Sequence, residues 1–217
     1  MSTVTCIRTV ARWGVLLALL LAGCSTTPVT PPTEFPKPVL RRIPMSMGLY
    51  MDDGFRNYVH HDKPEKGAKQ DVAVGPASRA LFNEFLAAQF TQLQPVASAP
   101  SGQAVAPGVE AVLQPVVQDV QISSPRTEKD SFHEAWIKYR LRLLTPSGQE
   151  LAAWELAAYG KHRGAAMGGT HAALTAAVRD AMRDAAAGMA LIFRDGNALR
   201  ARIAAAGPDR SPTTATP

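Results

Sequence analysis

The chain has 217 residues, 46% of them hydrophobic and 19% charged, with 23 Lys and Arg against 18 Asp and Glu and a formal net charge of +5. That apolar fraction with moderate charge excludes a disordered chain, and so small a basic surplus does not argue for nucleic acid as a partner. Two cysteines, Cys6 and Cys24, both near the N-terminus, exclude a disulfide framework or a thiolate metal site in the body of the chain.

Arg8 and Arg12 precede an apolar run over 14–22 that includes Leu16, Leu17, Leu19, Leu20 and Leu21. The run is shorter than the ~20 residues that a membrane-spanning helix needs, and its small-residue end fits a cleaved export signal. The small residues lead straight into a cysteine, and Leu21-Ala22-Gly23-Cys24 resembles the bacterial lipobox. The resemblance covers the first two dozen residues. It implies cleavage between Gly23 and Cys24, a diacylglycerol thioether on Cys24, and acylation of the new amine by a chain such as palmitate. Each methylene buried in the bilayer stabilises attachment by roughly 0.8 kcal/mol, and a stable anchor takes more than one chain. Ser25, not Asp, follows the cysteine. In the sorting rule of enteric bacteria that points to the outer membrane, with the domain facing the periplasm. Residues 1–23 hold two of the 23 basic residues and no acid, so the remaining 194 residues carry 21 cations against 18 anions, a charge of +3.

Residues 24–43 are expected to be the lipidated cysteine and a tether. Pro28, Pro31, Pro32, Pro36 and Pro38 disfavour helix and sheet and favour polyproline II. Fully extended, this segment would reach ~60 Å at about 3.1 Å per residue. Arg41 and Arg42 at its far end read as solvated cations or as contacts to anionic headgroups.

A globular domain is expected over 44–206. MSMGLYM alternates, with Met45, Met47, Leu49 and Met51 on one face, which predicts a strand closed by the Asp52-Asp53-Gly54 turn. Phe55 and Tyr58 anchor an irregular stretch, and 72–74 reads as a short second strand. Gly75-Pro76 opens a helix predicted over 77–93, with Leu81, Phe82, Phe85, Leu86, Phe90 and Leu93 forming a wide apolar face ended by Pro95. A loop over 97–108 leads to a strand over 109–122, which Pro115 requires to be bulged or at an edge. Residues 132–144 alternate cleanly. Ile137, Tyr139, Leu141 and Leu143 point one way, while Trp136, Lys138, Arg140 and Arg142 point the other. Thr145-Pro146-Ser147-Gly148 turns the chain, and 149–159 returns to complete a hairpin. A flexible basic loop over 160–169 precedes a long helix from Thr170, with Leu174, Val178, Ala181, Ala185, Met189 and Ile192 as its apolar stripe. Asn197 is the expected cap of a short helix over 198–206, and 207–217 is expected to be a disordered tail.

These elements predict an α+β two-layer sandwich. A mainly antiparallel or mixed sheet of four to five strands carries two long helices on one face.

None of the expected chemistry is catalytic. His60-His61-Asp62, His133, His162 and His171 do not form a His-x-x-x-His or His-Glu-x-x-His pattern. The stretch from Gly164 to Thr170 lacks the Gly-Lys-Ser/Thr ending of a phosphate loop, and no Gly-x-Ser-x-Gly elbow occurs. No metal, cofactor or catalytic residue is therefore expected. The strand face with Trp136, Lys138, Arg140 and Arg142 is the candidate docking surface, for an acidic partner, a lipid phosphate or a peptidoglycan carboxylate. Its plainer alternative is the wet side of an antiparallel sheet, with basic stems covering apolar surface.

Three stretches, MSMGLYM, GPASRALFNEFLAAQF and LAAWELAAYG before an Ala-rich helix, give a layout similar to the small two-layer α/β lipoproteins of Gram-negative envelopes. These include transport-auxiliary lipoproteins of lipid-trafficking systems and lipopolysaccharide-assembly lipoproteins. The similarity implies a non-catalytic accessory with an envelope protein partner. A second reading is a carrier that holds an acyl chain or other apolar ligand between helix and sheet, lined by Met45, Met47, Met51, Phe85 and Phe90. A third is a cell-wall hydrolase.

Overall fold

Alternating burial begins at Ile43. Met45, Met47 and Leu49 turn into the core while Ser46 and Tyr50 turn away, and this stretch is β1 (Ile43–Tyr50). The computed structural model describes residues 28–61, 70–101, 107–125, 132–164 and 169–205. The lipobox and the C-terminal tail lie outside the described residues.

After β1, the Asp52 carboxylate accepts the Phe55 backbone N–H at 2.7 Å. That contact starts a single helical turn, α1 (Asp53–Arg56), where the sequence suggests only a turn. A two-strand ribbon follows, β2 (His60–His61) and β3 (Asp71–Val72), paired antiparallel. Next come α2 (Val74–Gln89), β4 (Phe90–Val96), β5 (Ala111–Ser123), β6 (Phe132–Leu144), β7 (Glu150–Arg163), α3 (Gly169–Ile192) and α4 (Gly196–Ala205).

The main sheet has the order β4-β1-β5-β6-β7. β1 is parallel to both β4 and β5, and the β5–β6 and β6–β7 pairs are antiparallel. The sheet is therefore mixed, and α2 and α3 cover one face, as the two-layer expectation requires. Phe82 of α2 meets Tyr139 of β6 edge to face at 5.4 Å and Phe55 at 5.5 Å. The Tyr139 hydroxyl is buried and bonds the Ser78 hydroxyl at 2.8 Å, which fixes the N-terminal part of α2 over β6. Between β6 and β7, Gly148 takes φ +97°, and its N–H donates to the Thr145 carbonyl at 2.9 Å. Only glycine adopts that left-handed conformation without strain.

Several expectations are corrected. The helix predicted to reach residue 93 ends at Gln89, and Phe90 begins β4. Phe90 and Leu93 match helical spacing, yet pairing with β1 satisfies the backbone of 90–96, and Pro95 is tolerated because β4 lies at the sheet edge. Pro115 also sits at an edge locally. β1 pairs with β5 only over Ala111–Leu113, so nothing in the sheet seeks a donor at Pro115 on that side, and the register shift falls at Val117/Asp119 instead.

The basic loop expected from residue 160 is strand as far as Arg163, and residues 165–168 lie outside the described residues. Gly160 permits this. A Cβ there would collide with the Ala177 carbonyl and the Ala181 nitrogen, so its absence lets α3 lie directly on β7. The cap of α4 is Asp195, whose carboxylate accepts the Asn197 and Ala198 N–H groups, each at 3.0 Å.

The largest correction concerns the tether. From residue 28 the chain does not extend away from the domain but lies on it. Val29 is fully buried and forms a parallel bridge with Val72. Its N–H donates to the Asp71 carbonyl at 2.6 Å, and its carbonyl accepts the Ala73 N–H at 2.8 Å. Phe35 and Leu40 pack against the core. The prolines exclude regular structure, but full burial of Val29 still contributes roughly 1.5–3 kcal/mol, and the partly buried Phe35 and Leu40 add to it.

Candidate docking face

The face of the sheet opposite the helices holds the four residues singled out from the sequence. Along β6, Glu134, Trp136, Lys138, Arg140 and Arg142 alternate with the buried Ala135, Ile137, Tyr139, Leu141 and Leu143. Trp136, Lys138, Arg140 and Arg142 therefore do form one row, as the alternation predicts.

The basic part of the row has partners on its own sheet. Lys138 Nζ lies 2.8 Å from Glu155, and Arg140 and Arg142 lie 3.3 and 2.6 Å from the two oxygens of Glu150. Arg142 also donates to Gln114 at 3.0 Å, straight across the β5–β6 pair. The Arg142 hydrogen bond, helped by Arg140, holds the Glu150 carboxyl below its usual range. The Lys138 hydrogen bond does the same for Glu155. Cross-strand acids thus offset most of the positive charge that a reading of β6 alone assigns to this face.

Trp136 belongs to a different group. It pairs directly with Tyr159 of β7, the rings 4.8 Å apart and inclined by 38°. The Tyr159 hydroxyl donates to Glu134 at 2.8 Å, and Lys161 reaches the same carboxylate at 3.1 Å. Those bonds, Tyr159's first, lower the Glu134 pKa, while burial and the Glu134 bond raise that of Tyr159. Lys161 Nζ also stands 4.4 Å over the Phe132 ring, and the Arg163 guanidinium 5.3 Å from it. Phe132, Trp136 and Tyr159 are 41, 42 and 38% exposed. The sequence reading missed Lys161 and Arg163 because it ended the return strand at Tyr159; it held Phe132 and Tyr159 within its strands, where the alternation already puts them on this face, but did not single them out.

The carrier residues are not gathered round one space. Met45, Met47 and Phe90 are core side chains. Phe85 borders a cleft of about 250 Å³ with Phe35, Pro36, Pro38, Leu81 and Ala186, between the N-terminal segment and the helices. Met51 borders another of about 260 Å³, with Arg56 and Arg79 among its neighbours.

The histidines do not gather at one site, although His133 and His162 are paired across β6 and β7. His61 meets Asp71 at 3.1 Å, His162 meets Asp180 at 3.4 Å, and buried His133 contacts Ser124 at 3.2 Å. Burial lowers the His133 pKa, and the neighbouring His162 adds to the shift. Among the described residues no group of three His, Cys, Asp or Glu side chains is placed to hold a metal ion.

No family model and no curated protein sequence matches the chain. Among solved structures, the crystal structure of XCC0632 from Xanthomonas campestris, of the DUF330 family, aligns with a TM-score of 0.51 at 14% identity. The alignment covers 80% of this chain and 99% of that one. This likeness supports the fold alone. A minor lipoprotein from Acinetobacter baumannii aligns at a TM-score of 0.34 and 10% identity, over 69% of this chain and 96% of that one, too weakly to bear on function.

Proposed function

We propose that the chain is a bacterial envelope lipoprotein, anchored through Cys24 in the outer membrane, facing the periplasm, and acting as a non-catalytic accessory in envelope assembly or transport. The observation that carries this reading is the order of Arg8, Arg12, the apolar run and Leu21-Ala22-Gly23-Cys24. The buried position of Val29 fits it, because a domain that starts five residues after the anchor works beside the membrane. The adaptor reading is favoured over the carrier because Met45, Met47 and Phe90 fill the core and do not line a ligand space. It is favoured over a hydrolase because the titratable groups on the outer sheet face are engaged in ion pairs with one another.

The test is processing and fractionation in cells. Globomycin should accumulate the uncleaved precursor, and Cys24→Ala should leave the chain unlipidated. Normal processing under globomycin would refute the anchor. Photocrosslinking from positions on β6 and β7 then identifies the protein partner. Crosslinks to envelope proteins support the accessory role, and turnover of peptidoglycan or phospholipid by the purified chain contradicts it.

A further inference from the structure

We infer that the end of the sheet carrying Phe132, Trp136, Tyr159, Lys161 and Arg163 rests on the phospholipid headgroups of the membrane that holds the anchor. This rests on the reading of Cys24 as a lipidated residue.

Chain length supplies the first constraint. Only residues 25–28 lie between Cys24 and Val29, and Val29 is locked into the domain by two backbone hydrogen bonds and complete burial. Five steps of at most about 3.6 Å span ~18 Å. The headgroup layer takes up roughly 5–7 Å of that, as half the difference between the full bilayer and its hydrocarbon core. The slack left is ~12 Å, against a diameter of about 40 Å for a domain of this size. The side of the domain that holds Val29 must therefore face the membrane.

Topology supplies the second. β1 and β5 both run toward the end of the sheet where β6 begins at Phe132 and β7 finishes at Arg163; the pairing of β1 stops at Leu113, and β5 continues to Ser123. α2 leads into β4, which is parallel to β1, so α2 starts at that end as well. Val72, the partner of Val29, lies two residues before α2. Ser78 of α2 bonds Tyr139, which pairs with Val117, so the chain joins the domain on the helix-covered face, partway along β5 and β6 toward the end where three large aromatic rings are exposed on the other face.

The chemistry of that end suits headgroups. Tyr and Trp place an apolar ring and a polar tip across the membrane interface, and Lys and Arg meet lipid phosphates. Lys161 shares the Glu134 carboxylate with Tyr159, so the rings carry most of the contact.

The experiment uses the full chain, expressed with its signal and purified from membranes into vesicles of phosphatidylcholine and phosphatidylglycerol. Trp13 leaves with the signal, so Trp154→Phe makes Trp136 the sole tryptophan. Acyl chains brominated near the headgroup should quench its emission, and Lys161→Gln should lower the docked-to-undocked ratio about fivefold. A photoactivatable phospholipid, used with the unsubstituted chain, should leave its adducts on the β6–β7 end, and this covers the case in which the variant does not fold. A chain that floats with the vesicles while Trp136 stays unquenched, or whose adducts map to α3 or α4, overturns the inference and leaves the anchor intact. A chain that does not float overturns both.

Discussion

Removing one hydroxyl from the Ser78–Tyr139 pair tests whether α2 is seated on β6 as described. Both residues are fully buried, and their hydroxyls lie 2.8 Å apart. Tyr139→Phe keeps the ring against Phe55 and Phe82 and deletes only the oxygen. Ser78, the fifth residue of α2, can turn to the Val74 backbone carbonyl one helical turn back, so the cost falls near the low end of the ~1–3 kcal/mol for a buried group left unpaired. Ser78→Ala leaves the phenol with only the Met182 sulfur, a weak acceptor at 3.5 Å, and belongs in the upper part of that range. The double variant leaves no orphan and should cost no more than the worse single change. The interaction energy should therefore be negative, by about 1 kcal/mol or more. Urea unfolding followed by tryptophan fluorescence measures all three variants. Costs that add to within about 0.5 kcal/mol would falsify the pairing and the helix placement that depends on it.

Gly160→Ala should cost at least about 1–3 kcal/mol in the same assay, since the new methyl enters the backbone of α3, whereas Ala157→Ser on the outer face should stay within about 0.5 kcal/mol. An unchanged midpoint for Gly160→Ala means that α3 does not rest on β7 there. Glu150→Gln should cost less than about 1 kcal/mol, because its arginine pairs are solvent-screened. A larger loss would make that network a structural requirement. Acid should destabilise the fold in two stages. His133 has a folded pKa below its unfolded value, so the unfolded state takes up the proton first; its contribution is complete above about pH 6.5 and declines below it. Glu134, Glu150 and Glu155 are also lowered, so their contribution holds above about pH 4.3 and is lost as pH falls further. Urea midpoints across this range should show both stages, and His133→Gln should remove the first.

The hairpin was legible because β6 alternates without interruption and Gly148 marks its turn. The long helix α3 was legible from its alanine-rich stripe. β4 was hidden because Phe90 and Leu93 continue the helical spacing of α2, and only the open edge of β1 decides between helix and strand. The seating of residues 28–42 was hidden because proline content describes backbone conformation and not where Val29, Phe35 and Leu40 are buried. At the candidate site, the row on β6 was correct by parity, but its electrostatics were not readable from β6 alone. Glu150 and Glu155 sit on a different strand, and their opposition to the arginines depends on the hairpin register. The aromatic cluster needed the same register, and its cations Lys161 and Arg163 needed the strand to continue past Gly160.

The account's central claim is that Cys24 becomes a lipidated N-terminus. Mass spectrometry of the N-terminal peptide, from chain purified out of cell membranes, tests it most directly. The account predicts a peptide that begins at Cys24 and carries a diacylglyceryl thioether and an amide-linked acyl chain. A peptide that begins elsewhere, or begins at Cys24 with a free thiol, would contradict it.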